Sequence, residues 1–342
     1  MPVSGVSASL IRPVDAPQPT ESRHIVQQQI VGSPTTPKTY LVTGAAGFIG
    51  AAVADRLVAA GHRVVTIDNL TTGRREWVPQ GVQLIEGDCA DATVIAQLAA
   101  FRFDAILHIA GQSSGEISFD QPEVDLRSNV LSTLLLLRYG QETGCRRFIY
   151  ASTMSVYGEQ PDEPVTESAP PHPISFYAVG KLASERYMEI YSRFGMSNIA
   201  LRLFSVYGPG QNMENHRQGM VSIFVDQVLK HRKVLVKGSA ERYRDFVYID
   251  DVVSAFLGAL ETAQDGYRCY NVASGVRTTV SDLLQEISAV LTVPFPVSFT
   301  GGTVGDLHGL YGSGDRLRAA YGDIMRTDLR TGLTKMIAWA AR

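Results

Sequence analysis

Cysteine is scarce: the 342 residues hold three, Cys89, Cys145 and Cys269, odd in number and widely spaced. That excludes a disulfide framework and a cysteine metal knuckle, points to no metal site, and fits a reducing cytoplasm. Also missing is an apolar run near the roughly 18 residues that a membrane-crossing helix needs, so no membrane association is expected. Neither sign of charge dominates. With a net charge of −3 and 19% charged residues, the chain offers no basic face for nucleic acid. Aromatic residues are few in residues 1–38, which are rich in Pro, Ser, Gln and Thr and lack the basic start and apolar stretch of a secretory signal. A flexible extension, or an arm that orders against a partner subunit, is expected there. No internal repeat is present.

What is present is a chain long enough for a large core, 45% hydrophobic. From Thr39 onward, short β-branched runs alternate with helical patterns. "YLVTG", "RVVTID", "VQLIEGD", "DAILHIAG", "RRFIYAST" and "NIALRLF" read as strands, and residues 48–60, 125–143 and 177–194 as helices. Runs this apolar suit strands covered on both faces, and the alternation predicts an α/β fold, a doubly wound parallel (Rossmann) sheet, with a smaller C-terminal substrate-binding lobe. The expected boundaries are 39–206 for the sheet domain and 207–342 for most of the lobe. A segment near 245–275, containing "YRCYNVAS", is expected to return to the sheet.

The first strand runs into "TGAAGFIG". Gly44, Gly47 and Gly50 stand where a chain must turn tightly, let its backbone approach a pyrophosphate and pack a helix on the sheet. The helix opening at Phe48 and Ile49 would offer unpaired N–H groups to phosphates. About 20 residues on, the second strand ends in Asp68, followed by Asn69, where a carboxylate would hold the adenosine ribose hydroxyls. A carboxylate repels a 2′-phosphate, so NAD is expected rather than NADP, although Arg74 and Arg75 follow closely.

With these motifs, "GDCAD", "HIAG" and Asn129, the chain resembles the extended short-chain dehydrogenase/reductase family (NAD-dependent epimerases and dehydratases), in particular nucleotide-sugar 4-epimerases of the UDP-glucose/UDP-galactose 4-epimerase kind. The resemblance spans residues 39–340. It implies that Asp88 and Cys89 meet the adenine and that His108, Ala110, Gly111 and Asn129 line the cofactor. It further implies a soluble, cytoplasmic homodimer acting on a nucleotide sugar.

In "FYAVGKLASE", Tyr177 and Lys181 lie one helical turn apart on one face. A phenol with a pKa near 10 is a poor base at neutral pH unless a neighbouring cation favours the phenolate, and Lys181 supplies one. The family places its catalytic Ser or Thr at Thr153. In its 4,6-dehydratases that residue is followed by Asp and Glu; Met154 and Ser155 stand here, so the resemblance implies 4-epimerisation through a transient 4-keto sugar. Dehydration, 4-ketoreduction and a non-catalytic NAD-binding sensor or assembly protein are the alternatives. For the substrate, Ser113, Thr153, Tyr177, Ser205, Arg244 and Leu310 are expected to make contact. Ser205 replaces an expected Asn, a second expected Asn falls near Met220, and Thr303 replaces an expected Arg. Leu310 occupies the position that gates bulky groups on carbon 2, and its short side chain implies that an N-acetylated sugar is tolerated. Tyr157 and Tyr207 are expected to be structural.

Overall fold

The computed structural model describes residues 36–262, 265–302 and 307–342. Most of the predicted extension, and Thr303, lie outside them. The strands in chain order begin with β1 (Thr39–Thr43), β2 (Arg63–Asp68), β3 (Val82–Glu86), β4 (Ala105–His108), β5 (Arg147–Thr153) and β6 (Ser197–Leu203). The shorter β7 (Ser205–Tyr207), β8 (Val234–Lys237), β9 (Tyr243–Arg244) and β10 (Phe246–Tyr248) follow. The set closes with β11 (Tyr267–Val272), β12 (Thr278–Thr279), β13 (Val297–Thr300) and β14 (Gly309–Leu310). Seven of them form one parallel sheet in the order β11-β6-β5-β4-β1-β2-β3. The order reverses between β1 and β4, which opens a crevice at the carboxyl ends of the strands. Late in the chain, β11 pairs parallel with β6 at the edge of this sheet.

Apolar side chains alternate between two cores because successive strand residues face opposite ways. Leu41, Ile106 and Phe148 pack on one face, and Tyr40, Val42, Leu107 and Ile149 on the other. Along β1, β4, β5 and β6 neither face meets water, which is why these strands read as unbroken apolar runs, whereas edge strand β3 exposes Gln83 and Glu86.

Helix α1 (Phe48–Ala59) starts directly from the glycine turn, and a Cβ at Gly50 would lie 2.1 Å from the Gly44 carbonyl oxygen. Further on come α2 (Ala92–Ala96), α3 (Gly115–Asp120), α4 (Pro122–Leu126) and α5 (Ser132–Thr143). The predicted single helix over 125–143 is really α4 joined to α5 by a π-helical turn, Arg127–Leu131. The Asn129 carbonyl in that turn accepts from the Thr133 hydroxyl at 2.7 Å and the Ser184 hydroxyl at 2.8 Å. Helix α6 (Phe176–Ser192) is capped by Ser175, whose hydroxyl accepts from the Ala178 N–H. Its buried face carries Tyr177, Lys181, Ser184, Glu185 and Met188, at helical spacing. Glu185 is the anchor. Its carboxylate receives Arg202 of β6 at 2.6 and 3.0 Å, the Ser152 hydroxyl of β5 at 2.5 Å and the Tyr267 hydroxyl of β11 at 3.2 Å. Helix α7 (Met220–His231) leads into two small sheets outside the seven-stranded one, together termed the second lobe, where β13 pairs with β8 and β9 lies between β12 and β14.

Candidate active site

A cleft of about 810 Å³ follows the crevice from the glycine turn to the second lobe. At the glycine-turn end its wall contains Gly44, Gly47, Phe48, Ile49, Gly50, Asp68, Asn69, Asp88, Cys89, Ala110 and Gly111. Ser113, Thr153, Tyr177, Lys181, Ser205 and Arg244 line the remainder. The predicted motifs, far apart in sequence, therefore meet around one space.

Gly44 has a φ of +79°, and a Cβ there would sit 2.9 Å from the Ala110 backbone, so this turn suits only glycine. Gly47 occupies the N-cap of α1 without a capping side chain. The first-turn N–H groups at the cleft wall thus have no side-chain acceptor, the arrangement a phosphate uses. Asp68 accepts from the Ala46 N–H at 2.9 Å and the Leu70 N–H at 2.9 Å, and each carboxylate oxygen keeps a lone pair for a hydroxyl.

Residues 40–273 match the model of the NAD dependent epimerase/dehydratase family. The chain belongs to that family. A UDP-glucose 4-epimerase of Mycolicibacterium smegmatis is 35% identical over 304 residues, 87% of this chain and 96% of that protein. Among solved structures, the Thermotoga maritima UDP-glucose 4-epimerase with UDP-glucose superposes with a TM-score of 0.85 at 31% identity, covering 89% of this chain and 98% of the other. The Thermus thermophilus UDP-glucose 4-epimerase in complex with NAD gives 0.83 at 33% identity, covering 88% and 98%. This family member is an NAD-dependent epimerase enzyme with NAD as its cofactor, and the glycine turn, open helix end and Asp68 fit that group. The non-catalytic alternative is set aside.

Three expected site residues do not reach the cleft of this epimerase-family chain. His108 is fully buried, bonded to the Thr43 hydroxyl at 2.8 Å and the Ser132 hydroxyl at 3.1 Å. Burial, with the Lys181 charge nearby, lowers its pKa to about 3, so it is a neutral strut under the cleft floor. Asn129 is also fully buried, donating to the Gln112 carbonyl and to Asp125 at 3.0 Å. The π-helical turn holds it behind Gly111, where a Cβ would come 2.5 Å from its Oδ1. Leu310 is 1% exposed, packed in the core of the second lobe where β14 pairs with β9. It is not among the residues lining the cleft. Leu307 is the leucine at the cleft wall.

Thr153 ends β5, its Oγ1 accepting from the Ser155 N–H at 3.1 Å. Lys181 donates to the Ala151 carbonyl at 3.0 Å, with Nζ 4.7 Å from the Tyr150 ring centroid and 5.9 Å from that of Tyr177. Burial pushes the Tyr177 phenol up to about 12, against the lowering effect of a Thr153 hydrogen bond and with Asp125 adding to the rise. Burial also brings Lys181 down to about 8, which Asp125 opposes. A lysine of that pKa is still mostly charged at neutral pH. Asp125 escaped the sequence reading. It lies one turn before Asn129, with its Oδ1 accepting from Gln112 at 2.9 Å, and burial raises its pKa. That one-turn spacing was the available signal, visible once Asn129 faces inward.

Tyr157 and Tyr207 are structural, as expected: both are buried, their hydroxyls donating to Asn271 at 2.6 Å and to the Leu329 carbonyl at 3.3 Å. The end of the cleft away from the glycine turn carries Lys237, Arg217, Arg242 and Arg244, with the carboxylate of Glu116 among them. Arg244 is held by carbonyls of Tyr243 and Leu307 at 2.7 and 2.9 Å. Ser113 bonds Gln218 across the cleft mouth at 3.0 Å.

Proposed function

We propose that this chain is a nucleotide-sugar 4-epimerase acting on a UDP-hexose or UDP-N-acetylhexosamine through a transient 4-keto sugar. The observation that carries the reading is the wall around Thr153. Tyr177 and Lys181 stand there beside Met154 and Ser155, which cannot act as the acid and base of a dehydration. The cationic substrate side supports a diphosphate, which guanidinium groups bind well. The relatives' names support UDP as the nucleotide.

In this reading Thr153 holds the carbon 4 hydroxyl and Tyr177 takes its proton. Because burial, with Asp125 adding to it, raises the phenol to about 12 despite the Thr153 hydrogen bond, the nearby Lys181 cation is needed to favour the phenolate. NAD, held by the glycine turn, α1 and Asp68, supplies the redox chemistry. After the ketone presents its other face, Tyr177 returns the proton. The buried network behind Lys181 keeps these groups in place without substrate.

Exposed Val124, Leu126, Phe176 and Val179 on α4 and α6 support a homodimer, checked by light scattering. The decisive experiment is incubation with a panel of nucleotide sugars followed by NMR. Deuterium at carbon 4 is expected to remain there in the epimerised product, with no net NADH. Its migration to carbon 6 would show dehydration instead.

A further inference from the structure

Arg74 and Arg75 follow the second strand, where an arginine would meet the 2′-phosphate of NADP. Both are close to Asp68. Its Oδ2 accepts the Ala46 N–H at 2.9 Å, and the Ala46 carbonyl in turn accepts the Arg74 N–H at 3.1 Å. Gly73 makes that approach possible, since a Cβ there would sit 2.6 Å from the Ala46 oxygen. On the other side, Glu86 is the register partner of Asp68 across β2 and β3.

Neither guanidinium is left to the ribose. Arg74 turns onto Glu214 at 2.5 Å, with its Cζ 5.0 Å from the ring centroid of Trp77, a cleft residue. Arg75 pairs with Glu86. Among these five groups, Asp68, Glu86 and Glu214 outnumber the two arginines. Removing the two glutamate charges would leave the arginines in excess among them.

We propose that Glu214 and Glu86 are cofactor-specificity residues: by engaging Arg74 and Arg75 they withhold from a 2′-phosphate the cations that would bind it. Discrimination against NADP is thus shared between Asp68 and two carboxylates that need not touch the cofactor. Exposed ion pairs of this kind are worth roughly 1 kcal/mol or less, so an arginine losing its partner is easily redirected to a phosphate. Glu214 comes from the loop before α7, remote in sequence from the ribose motif, so cofactor preference here depends on the second lobe too. The proposal rests on the reading that places the adenosine ribose at Asp68.

The test is calorimetric titration of Glu214→Gln, Glu86→Gln and the double variant with NAD and with NADP, after exchange of any bound cofactor. The ratio of the NADP to the NAD dissociation constant is expected to fall about tenfold in the double variant, the scale of one charge-assisted contact. Adding Arg74→Ala to Glu214→Gln should restore the ratio. An unchanged ratio in the double variant overturns the proposal; if Asp68→Ala still weakens NAD, the placement of the ribose survives that failure. If Asp68→Ala leaves NAD binding intact, the placement and the proposal fall together.

Discussion

The two ends of the cleft are built differently. The cofactor end is backbone: a turn that only glycine can make, an open helix end and one carboxylate fixed by two N–H groups, all between Thr43 and Leu70. The substrate end is assembled from side chains of separate segments, with Ser113 meeting Gln218 and Arg244 meeting the Leu307 carbonyl. A site made of local backbone geometry is rigid and written in a short motif. One made of distant side chains can change its ligand without changing the fold.

The largest effect expected from breaking this division lies where the two ends meet. Tyr177→Phe removes one oxygen and little packing, so turnover should fall about 10²–10⁴-fold while NAD stays bound, measured by rapid-quench assay and cofactor content. Next comes Gly50→Ala at the cofactor end. Its methyl would collide with the Gly44 carbonyl, a backbone atom that cannot turn aside. A loss of roughly 3 kcal/mol in denaturant unfolding is expected, together with loss of NAD on purification.

Lys181→Met probes the cost of the charge held between the ends. The Lys181 pKa falls from its ordinary 10.5 to about 8 in the folded chain, so between those values the unfolded chain binds more protons and stability rises with pH. The charged lysine therefore costs stability below about pH 8, and the cost fades towards 10.5. The methionine variant should be the more stable at pH 7, by about 3 kcal/mol at most, with the gap closing as pH rises to 10.5. A constant gap in urea melts across that range would contradict this. Smallest in its effect on binding is Leu307→Ala, a buried leucine that also lines the cleft, expected to raise KM a few-fold with NAD affinity unchanged, beside some loss of stability. The same change at buried Leu310 should instead cost about 2–5 kcal/mol of stability and spare KM.

The division also explains what could be read from sequence. Strand runs, the glycine turn and the Tyr177–Lys181 turn follow from local periodicity and sterics, and all lie where expected. His108 and Asn129 sit in the right motifs but face away from the cleft. Which way they face is decided by Ser132 and by the π-helical turn, features that no two- or 3.6-residue period announces. Leu310 lies behind the cleft wall because β14 is two residues long and takes its position from β9. Glu86 and Glu214 gave no signal until their arginines were located in space.

Glu185 has one more consequence. A single carboxylate joins α6, which carries Tyr177 and Lys181, to β5 at the residue before Thr153, and through Arg202 and Tyr267 to β6 and β11. These attachments form a triangulated frame, which resists shear where parallel rods would slide. The relative placement of the phenol and the threonine is thereby braced by the fold itself rather than left to a ligand to impose.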